Sequence, residues 1–147
     1  MNKKNIFIFS IALFIISLDQ LTKFFIKINF QLNQSIPIIS NILHLTYITN
    51  TGSAFGLFKG LNIFFILFSI VVIIIVFYYL KRIKNNEKIL QFSAGLLLGG
   101  TIGNLIDRLY YGAVTDFIDF RIWPVFNIAD SAVTISVIFL IILLWKK

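Results

Sequence analysis

Four long apolar runs dominate the pattern of hydrophobic and polar positions, and each has the length of a membrane-spanning helix. The run Leu61–Leu80 has twenty residues and no charged side chain, which suffices to cross the hydrocarbon core. The other runs cover about Ile6–Ile28, Ile89–Leu109 and Val125–Trp145. We therefore predict an all-α membrane protein, a four-transmembrane-helix bundle that forms one domain over residues 1–147.

The first run also has features of a cleaved signal peptide, because Lys3 and Lys4 precede an apolar stretch that reaches Leu18. No small-x-small cleavage site follows, however, and the run continues past Asp19 and Lys23. The pattern therefore favours an uncleaved first span.

The connections at about 30–60 and 110–124 are predicted to lie on one side of the membrane. Residues Ile42–Thr49 are rich in β-branched and aromatic side chains and are expected to pair as short strands. Residues 55–59 have the pattern of an interfacial amphipathic turn. The bundle should therefore carry a small β-structure and an amphipathic segment at one end.

Composition supports the membrane class. Hydrophobic residues make up 59% and charged residues 13%, with a mean hydropathy of +0.93, whereas soluble chains carry about 25% charged residues. A net charge of +7 would suggest nucleic acid in a soluble domain, but here the basic residues flank apolar runs. Eight of the thirteen lie at the two ends and at 81–88, which predicts cytoplasmic termini and no nucleic-acid partner.

Several common chemistries are excluded or disfavoured. The absence of Cys excludes disulfides, thiolate metal sites and a Cys nucleophile. A single His, His44, disfavours a poly-His metal site or a Ser-His-Asp triad, and we predict an ordinary strand or loop residue there. No metal or cofactor is expected.

Polar groups recur at one depth in three of the predicted helices. Along a helix that rises about 1.5 Å per residue, Asp19, Asn104 and Asp130 each lie roughly 20–22 Å from the cytoplasmic end of their span. An ionisable group at such a depth costs on the order of 2.5–3.5 kcal/mol. These side chains should therefore face the bundle interior or a wet cavity.

The ionisable side chains have structural explanations as well as functional ones. Asp19 and Lys23 are four residues apart and either pair along the helix or position a ligand. Asp107 and Arg108, at the end of the third span, are better suited to a cap or an ion pair. Glu87 lies among lysines and is predicted to be solvated.

The remaining polar residues and the glycines also have predicted structural roles. Asn104 is one turn before Asp107, and Asn127 is three residues before Asp130, so each could join a hydrogen-bond network. Asp116 and Asp119 fall in the second outer connection, where an Asp is usually solvated. Three glycines spaced four apart should share a helix face and permit close packing: Gly95, Gly99 and Gly103.

Two Asp carboxylates close together suggest a definite chemistry. They share one proton, because both cannot easily ionise. The ionised one can act as general base on water while the protonated one polarises a carbonyl, which permits amide hydrolysis without Ser, Cys or metal.

Proton-coupled transport through the same Asp residues is an equally open alternative on composition alone. The apolar cytoplasmic halves of spans two and four argue against a transport pathway, and a lipid-binding or assembly protein is a further alternative.

Five segments give the chain a resemblance to lipoprotein signal peptidase (signal peptidase II), a family of bacterial integral-membrane aspartic peptidases. Their order and spacing match that family over nearly the whole chain, and the third and fifth are the most specific. They are Asp19-Gln20-Leu21-Thr22-Lys23, Asn50-Thr51-Gly52-Ser53-Ala54-Phe55, the stretch from Gly99 to Arg108, Val114-Thr115-Asp116-Phe117-Ile118, and Phe126-Asn127-Ile128-Ala129-Asp130-Ser131.

The resemblance implies an endopeptidase that removes signal peptides from diacylglyceryl-modified prolipoproteins by cleaving on the N-terminal side of the lipidated Cys. It implies Asp116 and Asp130 as the catalytic pair, with Asp119 outside it. It further implies residues that shape the site and bind substrate: Asp19, Lys23, Asn50, Gly52, Asn104, Asp107, Arg108, Asn127 and Ala129.

The resemblance also implies surroundings and partners. The outer connection and residues 55–58 would form an extracytoplasmic β-cradle and an amphipathic helix acting as a flap. The enzyme would lie in the bacterial cytoplasmic (inner) membrane as a multi-pass protein, in contact with membrane lipid, with its site near the outer face. Cyclic depsipeptide inhibitors of the globomycin type would occupy that site, and a monomer would suffice.

Overall fold

The computed structural model describes residues 2–52 and 60–145. Within these ranges there are four helices, α1 (Lys3–Asn29), α2 (Asn62–Leu80), α3 (Lys88–Tyr111) and α4 (Ile128–Trp145). They are joined by three strands, β1 (Ser35–Ile39), β2 (Leu43–Asn50) and β3 (Val114–Asp119).

Each of the four described helices is long and apolar enough to cross a membrane, so the predicted fold class is confirmed. The helices begin and end within three residues of the predicted spans. The expected amphipathic segment at residues 55–58 lies outside the described residues. We call the end where α1 and α3 finish and α4 begins the sheet end of the bundle.

Helix α3 is the central helix of the bundle and packs against the other three. Its glycines allow this, because a Cβ at Gly99 would lie 2.8 Å from the Ala12 carbonyl oxygen of α1. Gly95 and Gly103 face α1 in the same way, which confirms the predicted glycine face. On the neighbouring face, a Cβ at Gly100 would lie 2.5 Å from the Ala129 carbonyl oxygen of α4, so a fourth glycine brings α4 close.

The packed core lies mainly towards the end opposite the sheet. There Ile8 and Ala12 of α1 meet Leu98 of α3 and Leu80 of α2, all buried. Most of α2 points outward, with large apolar side chains such as Ile63 exposed. This distribution suits helices whose outer surfaces contact lipid rather than water.

The three strands form an antiparallel sheet in the order β1-β2-β3. Edge strand β1 contains Pro37 and is exposed along its length, and a proline is tolerated at such an edge because no ladder bond is lost. The strand expected over Ile42–Thr49 is confirmed as β2.

Strand β3 corrects the prediction that 110–124 is only a loop. Val114–Asp119 pairs with β2 over most of its length, and both Phe117 N–H and Ile118 N–H donate to the Phe126 carbonyl, at 3.0 and 2.8 Å. Leu45 pairs with Ile118 while Ile48 pairs with Asp116, so two residues of β2 oppose one of β3 in a bulge. The chain that enters α4 therefore covers the second edge of β3.

Candidate active site

A cluster of buried charges joins α1 to α3 near the sheet end. Lys23 Nζ lies 2.8 Å from Asp19 Oδ2 and 3.3 Å from Asp107 Oδ2. All three side chains are almost completely inaccessible, with exposed fractions of 0–1%. The pairing of Asp19 with Lys23 along the helix is thus present, and it extends to a second carboxylate on the neighbouring helix.

Each carboxylate of this cluster also accepts a backbone N–H from the structure beside it. Ala129 N–H at the start of α4 donates to Asp19 Oδ1 at 2.9 Å. Thr115 N–H of β3 donates to Asp107 Oδ2 at 2.9 Å. The cluster consequently holds α1, α3, α4 and β3 in one arrangement, and the ion pair expected for Asp107 is confirmed.

Gln20 belongs to this cluster and was not singled out from the sequence. Its Nε2 donates to the Gly103 carbonyl at 3.0 Å and to Asp19 Oδ2 and Asp107 Oδ1, both at 3.2 Å. The sequence did contain a signal for this role: Gln20 is an amide side chain inside an apolar run, at the depth where the other polar groups lie.

Asp116 lies on β3, and its environment contradicts the expectation of a solvated loop residue. The residue is 1% exposed, and it accepts hydrogen bonds from Asn127 Nδ2 at 2.7 Å and Asn50 Nδ2 at 3.1 Å. Burial first, and the charge of Asp130 second, raise the pKa of Asp116 to about 7. A carboxyl group in this position can carry a proton at neutral pH.

Asp130 lies in the first turn of α4 and is only half-buried, so it is more accessible than Asp116. Asn104 Nδ2 of α3 donates to its Oδ1 at 2.7 Å. Asp130 N–H donates to Asn127 Oδ1 at 2.8 Å, and Asn127 N–H donates to Asp130 Oδ2 at 3.3 Å. This reciprocal capping explains why α4 begins here, since two otherwise unpaired N–H groups are satisfied.

Two amide side chains connect the Asp116 and Asp130 carboxylates. Asn127 Nδ2 donates to Asp116 and, at 3.1 Å, to Asn104 Oδ1, while Asn104 Nδ2 donates to Asp130. Lys23 Nζ also donates to Asn104 Oδ1 at 2.9 Å, which fixes the direction of that amide. The predicted networks around Asn104 and Asn127 are therefore one network that includes both carboxylates.

Asp119 is separated from this network. Three residues along a strand place it on the opposite face from Asp116. Its Oδ2 accepts from Thr46 Oγ1 at 2.7 Å and from Arg121 Nη1 at 3.1 Å. Burial alone would raise the pKa of Asp119, but the hydrogen bonds from Thr46 and Arg121 and the Arg121 charge outweigh burial and lower it. Like Asp116, it is buried in a strand rather than solvated in a loop.

Arg108 positions the chain that leads away from β2. Its Nη2 donates to the Gly52 carbonyl at 2.9 Å, and its guanidinium lies 4.6 Å from the centre of the Phe65 ring. Gly52 N–H in turn donates to Asn50 Oδ1 at 2.9 Å. Arg108 thus contacts a backbone carbonyl rather than forming the expected cap or ion pair, and it holds the residues beside Asn50.

The other polar residues considered from the sequence are structural. His44 lies in β2, with Nδ1 3.2 Å from Ser35 Oγ, which confirms it as an ordinary strand residue. Glu87 is half-buried and accepts from Lys84 N–H at 2.7 Å just before α3, so it is more than a solvated neighbour. Among residues 2–52 and 60–145, no group of three His, Cys, Asp or Glu side chains converges as a metal site would require.

A family model and two known proteins, compared with this chain, point to the same family. The family model of signal peptidase (SPase) II matches residues 11–146. The chain is 43% identical to a lipoprotein signal peptidase of Halothermothrix orenii over 140 residues, which is 95% of this chain and 96% of that protein. It is 45% identical to a lipoprotein signal peptidase of Moorella thermoacetica over 136 residues, which is 92% of this chain and 89% of the relative.

Two solved structures of bacterial membrane enzymes share the fold. One, determined by the in meso method at 2.3 Å resolution, superposes with a TM-score of 0.86 and 39% identity over 92% of this chain and 85% of the other. The second, at 1.9 Å, gives a TM-score of 0.82 and 38% identity over 93% and 91%.

Proposed function

The chain belongs to the signal peptidase II family, and from that premise we propose that Asp116 and Asp130 are its catalytic pair. The protein is an aspartic endopeptidase that removes signal peptides from diacylglyceryl-modified prolipoproteins, on the N-terminal side of the lipidated Cys. The observation that carries the assignment is the joining of these two carboxylates through Asn127 and Asn104.

The pair works with one shared proton. The ionised carboxylate takes a proton from a water molecule, which attacks the carbonyl carbon of the scissile peptide bond. The protonated carboxyl donates a hydrogen bond to the carbonyl oxygen and stabilises the negative charge that develops there. The tetrahedral intermediate then collapses as the amine leaves with a proton from the pair. A pKa of about 7 for Asp116 supports this arrangement, because one proton stays in the pair near neutral pH.

The surrounding residues position this pair and the substrate. Asn104 and Asn127 orient the two carboxylates, while Asp19, Lys23 and Asp107 keep α1, α3 and α4 in register around them. The contact of Ala129 N–H with Asp19 fixes the first turn of α4, which carries Asp130.

A second group of residues lies beside Asp116, at the end of β2 and the end of α3. We propose that this group holds the backbone of the substrate peptide in an extended form against β2. Its members are Asn50, Gly52 and Arg108. Their mutual hydrogen bonds support this role, because they keep the rim of the site in one conformation before substrate arrives.

We further propose that the protein lies in the bacterial cytoplasmic membrane with both termini in the cytoplasm and the sheet end at the outer face. The distribution of Lys and Arg supports this orientation. A substrate anchored by its diacylglyceryl group would then arrive sideways within the outer leaflet, at the level of the Asp pair. One chain carries the complete set of proposed residues, so a monomer suffices. Globomycin-type depsipeptides would compete with the substrate for the site at Asp116 and Asp130.

The test is cleavage of a purified diacylglyceryl-modified prolipoprotein by matched variants. Asp116→Asn and Asp130→Asn should each lower the rate by at least about a hundredfold, since each removes a group that transfers a proton. Asp119→Asn is the matched control, being the same change on the other face of β3, and should keep substantial activity.

Normal prolipoprotein processing by Asp116→Asn or by Asp130→Asn would refute the assignment of the catalytic pair. Complete loss of cleavage in Asp119→Asn alone would assign the catalytic role to Asp119 instead. Proton flux through the purified protein in liposomes, lost in Asp130→Asn, would favour a transport function instead.

A further inference from the structure

The end of the sheet farthest from α3 carries an exposed apolar surface that the catalytic pair does not use. It is formed by the turn between β1 and β2 and by the loop after β3, and we call it the cradle tip. Its residues, Asn41, Ile42, Phe120, Ile122 and Trp123, line a shallow cleft of about 400 Å³. Ile122 is 94% exposed and Trp123 is 60% exposed. Large apolar side chains gathered in this way mark an interaction surface.

The loop that presents these side chains is held in a defined conformation. Arg121 has a left-handed backbone, with φ 65°, which is unusual for a residue other than glycine. Asp119 stabilises it, because Oδ1 accepts from Arg121 N–H at 2.8 Å and Oδ2 accepts from the Arg121 side chain at 3.1 Å. The rings of Phe120 and Phe126 stack with centroids 6.0 Å apart. Asp119 therefore has a structural task, which is to shape the cradle tip.

The cradle tip cannot lie far from the membrane surface. Trp123 is four residues before Asn127, and an extended chain spans at most about 3.6 Å per residue, so the two are within roughly 14 Å. The 18 residues of α4 span about 27 Å, close to the roughly 30 Å hydrocarbon core, which places its first turn near one edge of that core. The headgroup region beyond that edge is therefore within reach of Trp123.

We propose that the cradle tip docks onto the phospholipid interface of the leaflet at the sheet end. Its chemistry suits that occupant: an indole ring favours the headgroup level, Ile122 and Ile42 can enter the upper acyl region, and the half-exposed Arg121 side chain can meet lipid phosphates. The partly exposed segment 124–126 also joins this surface to α4, a helix that is apolar enough to cross a membrane and whose outer apolar side chains are exposed.

This docking would attach the sheet to the membrane at a second place, in addition to its connections to the membrane-spanning helices. Strands β2 and β3 carry Asn50 and Asp116, so this second attachment would hold these residues at the depth where a lipid-anchored peptide is presented. The inference rests on the membrane placement in the proposed function and does not depend on the catalytic assignment.

Depth-dependent fluorescence quenching tests the proposal. The chain has two Trp residues, so Trp145→Phe leaves Trp123 as the only indole. This variant is reconstituted in phosphatidylcholine and phosphatidylglycerol vesicles whose lipids carry bromine high or low on the acyl chain. We expect a blue-shifted emission, stronger quenching by the shallow bromine and little quenching by iodide. The measurement is repeated with Asp130→Asn added, so its result is independent of peptidase activity.

A further substitution tests the role of the apolar side chains. Ile122→Ser should weaken shallow-bromine quenching of Trp123 severalfold, whereas Ile36→Ser, an exposed position on β1 outside the cradle tip, should leave it unchanged. Emission typical of water with strong iodide quenching would overturn the proposal. So would protection from both iodide and bromine, because the cradle tip would then be covered by protein, such as a second copy or the substrate.

Discussion

The two halves of the contact between α1 and α3 are built in opposite ways. Towards the end away from the sheet, Gly95 and Gly99 let the helix backbones touch, and buried Ile8 and Ala12 fill the space. Towards the sheet end, the same two helices meet through Asp19, Lys23 and Asp107, with hydrogen bonds to each. The helices are therefore joined by close packing in one half and by buried charges in the half that lies beside the proposed catalytic pair, Asp116 and Asp130.

The half of the α1–α3 contact that contains Asp19, Lys23 and Asp107, which we call the charged half, carries a desolvation cost. The half that contains Gly95 and Gly99, which we call the packed half, avoids this cost. A carboxylate or ammonium taken out of water is strongly destabilised unless partners with good geometry replace the lost hydration. Here Lys23 has two carboxylates and one amide oxygen as partners, and both carboxylates accept backbone N–H groups. This region should therefore be far more sensitive to loss of one partner than the packed half.

The largest effect is expected from Lys23→Met. It would leave Asp19 and Asp107 buried without their shared cation, and breaking a buried pair in this way costs about 3–5 kcal/mol. Thermal unfolding in detergent measures the loss. Lys27→Met is the control, since its ammonium is partly exposed and lies 3.9 Å from Asp107, so its effect should be small.

A second substitution sharpens this result. Adding Asp19→Asn to Lys23→Met removes one stranded charge while an amide oxygen can still accept Ala129 N–H, so part of the stability should return. Equal stability of Lys23→Met and the unmodified chain would show that the charges do not hold the helices together.

A smaller effect is expected from Gly99→Ala in the packed half. The new methyl would lie 2.8 Å from the Ala12 carbonyl oxygen, and because the obstacle is backbone, the helices must separate. Overpacking of this kind costs roughly 1–3 kcal/mol. Chemical or thermal unfolding in detergent should show the loss, with Ile89→Ala on the outer surface of α3 nearly neutral. An unchanged stability would mean that the glycines are not needed for close approach.

The smallest effect is expected at the end opposite the sheet. Lys4 Nζ donates to the Leu80 carbonyl at 2.8 Å and the Ile83 carbonyl at 2.5 Å, and so satisfies acceptors at the end of α2 and in the turn that follows it. Lys4→Met should lower stability by roughly 1 kcal/mol and leave cleavage unchanged. The exposed neighbour Lys3 gives the matched control, Lys3→Met. A large loss of cleavage activity in Lys4→Met would contradict the expectation that contacts at this end of the bundle do not affect the site.

The sequence predicted those features that depend on local pattern. Run length identified the helices, the four-residue spacing of Gly95, Gly99 and Gly103 identified the packing face, and helix rise placed Asp19, Asn104 and Asp130 at one level. These inferences succeed because helix geometry relates sequence distance directly to position.

Features that depend on distant pairing were missed. Strand β3 exists because it pairs with β2, about 70 residues earlier, and the burial of Asp116 follows from that pairing. The same holds for the contact of Arg108 with Gly52, and for Gln20 among carboxylates of two helices. One signal was available: the odd spacing of Asp116 and Asp119 assigns them to opposite faces once Val114–Asp119 is taken as a strand.

The dependence of cleavage rate on pH is the most direct test of a proton shared by Asp116 and Asp130. Single-turnover cleavage of a diacylglyceryl-modified prolipoprotein should be followed from about pH 3 to about pH 10, a range that spans the titration of carboxyl groups. Because the pKa of Asp116 is about 7, the pair keeps one proton below that pH and loses it above, so the rate should fall as pH rises through about 7. In acid the second carboxylate also takes a proton, no general base remains, and the rate should fall again. A bell-shaped profile is therefore predicted, and a rate that stays constant across this range would contradict the shared proton.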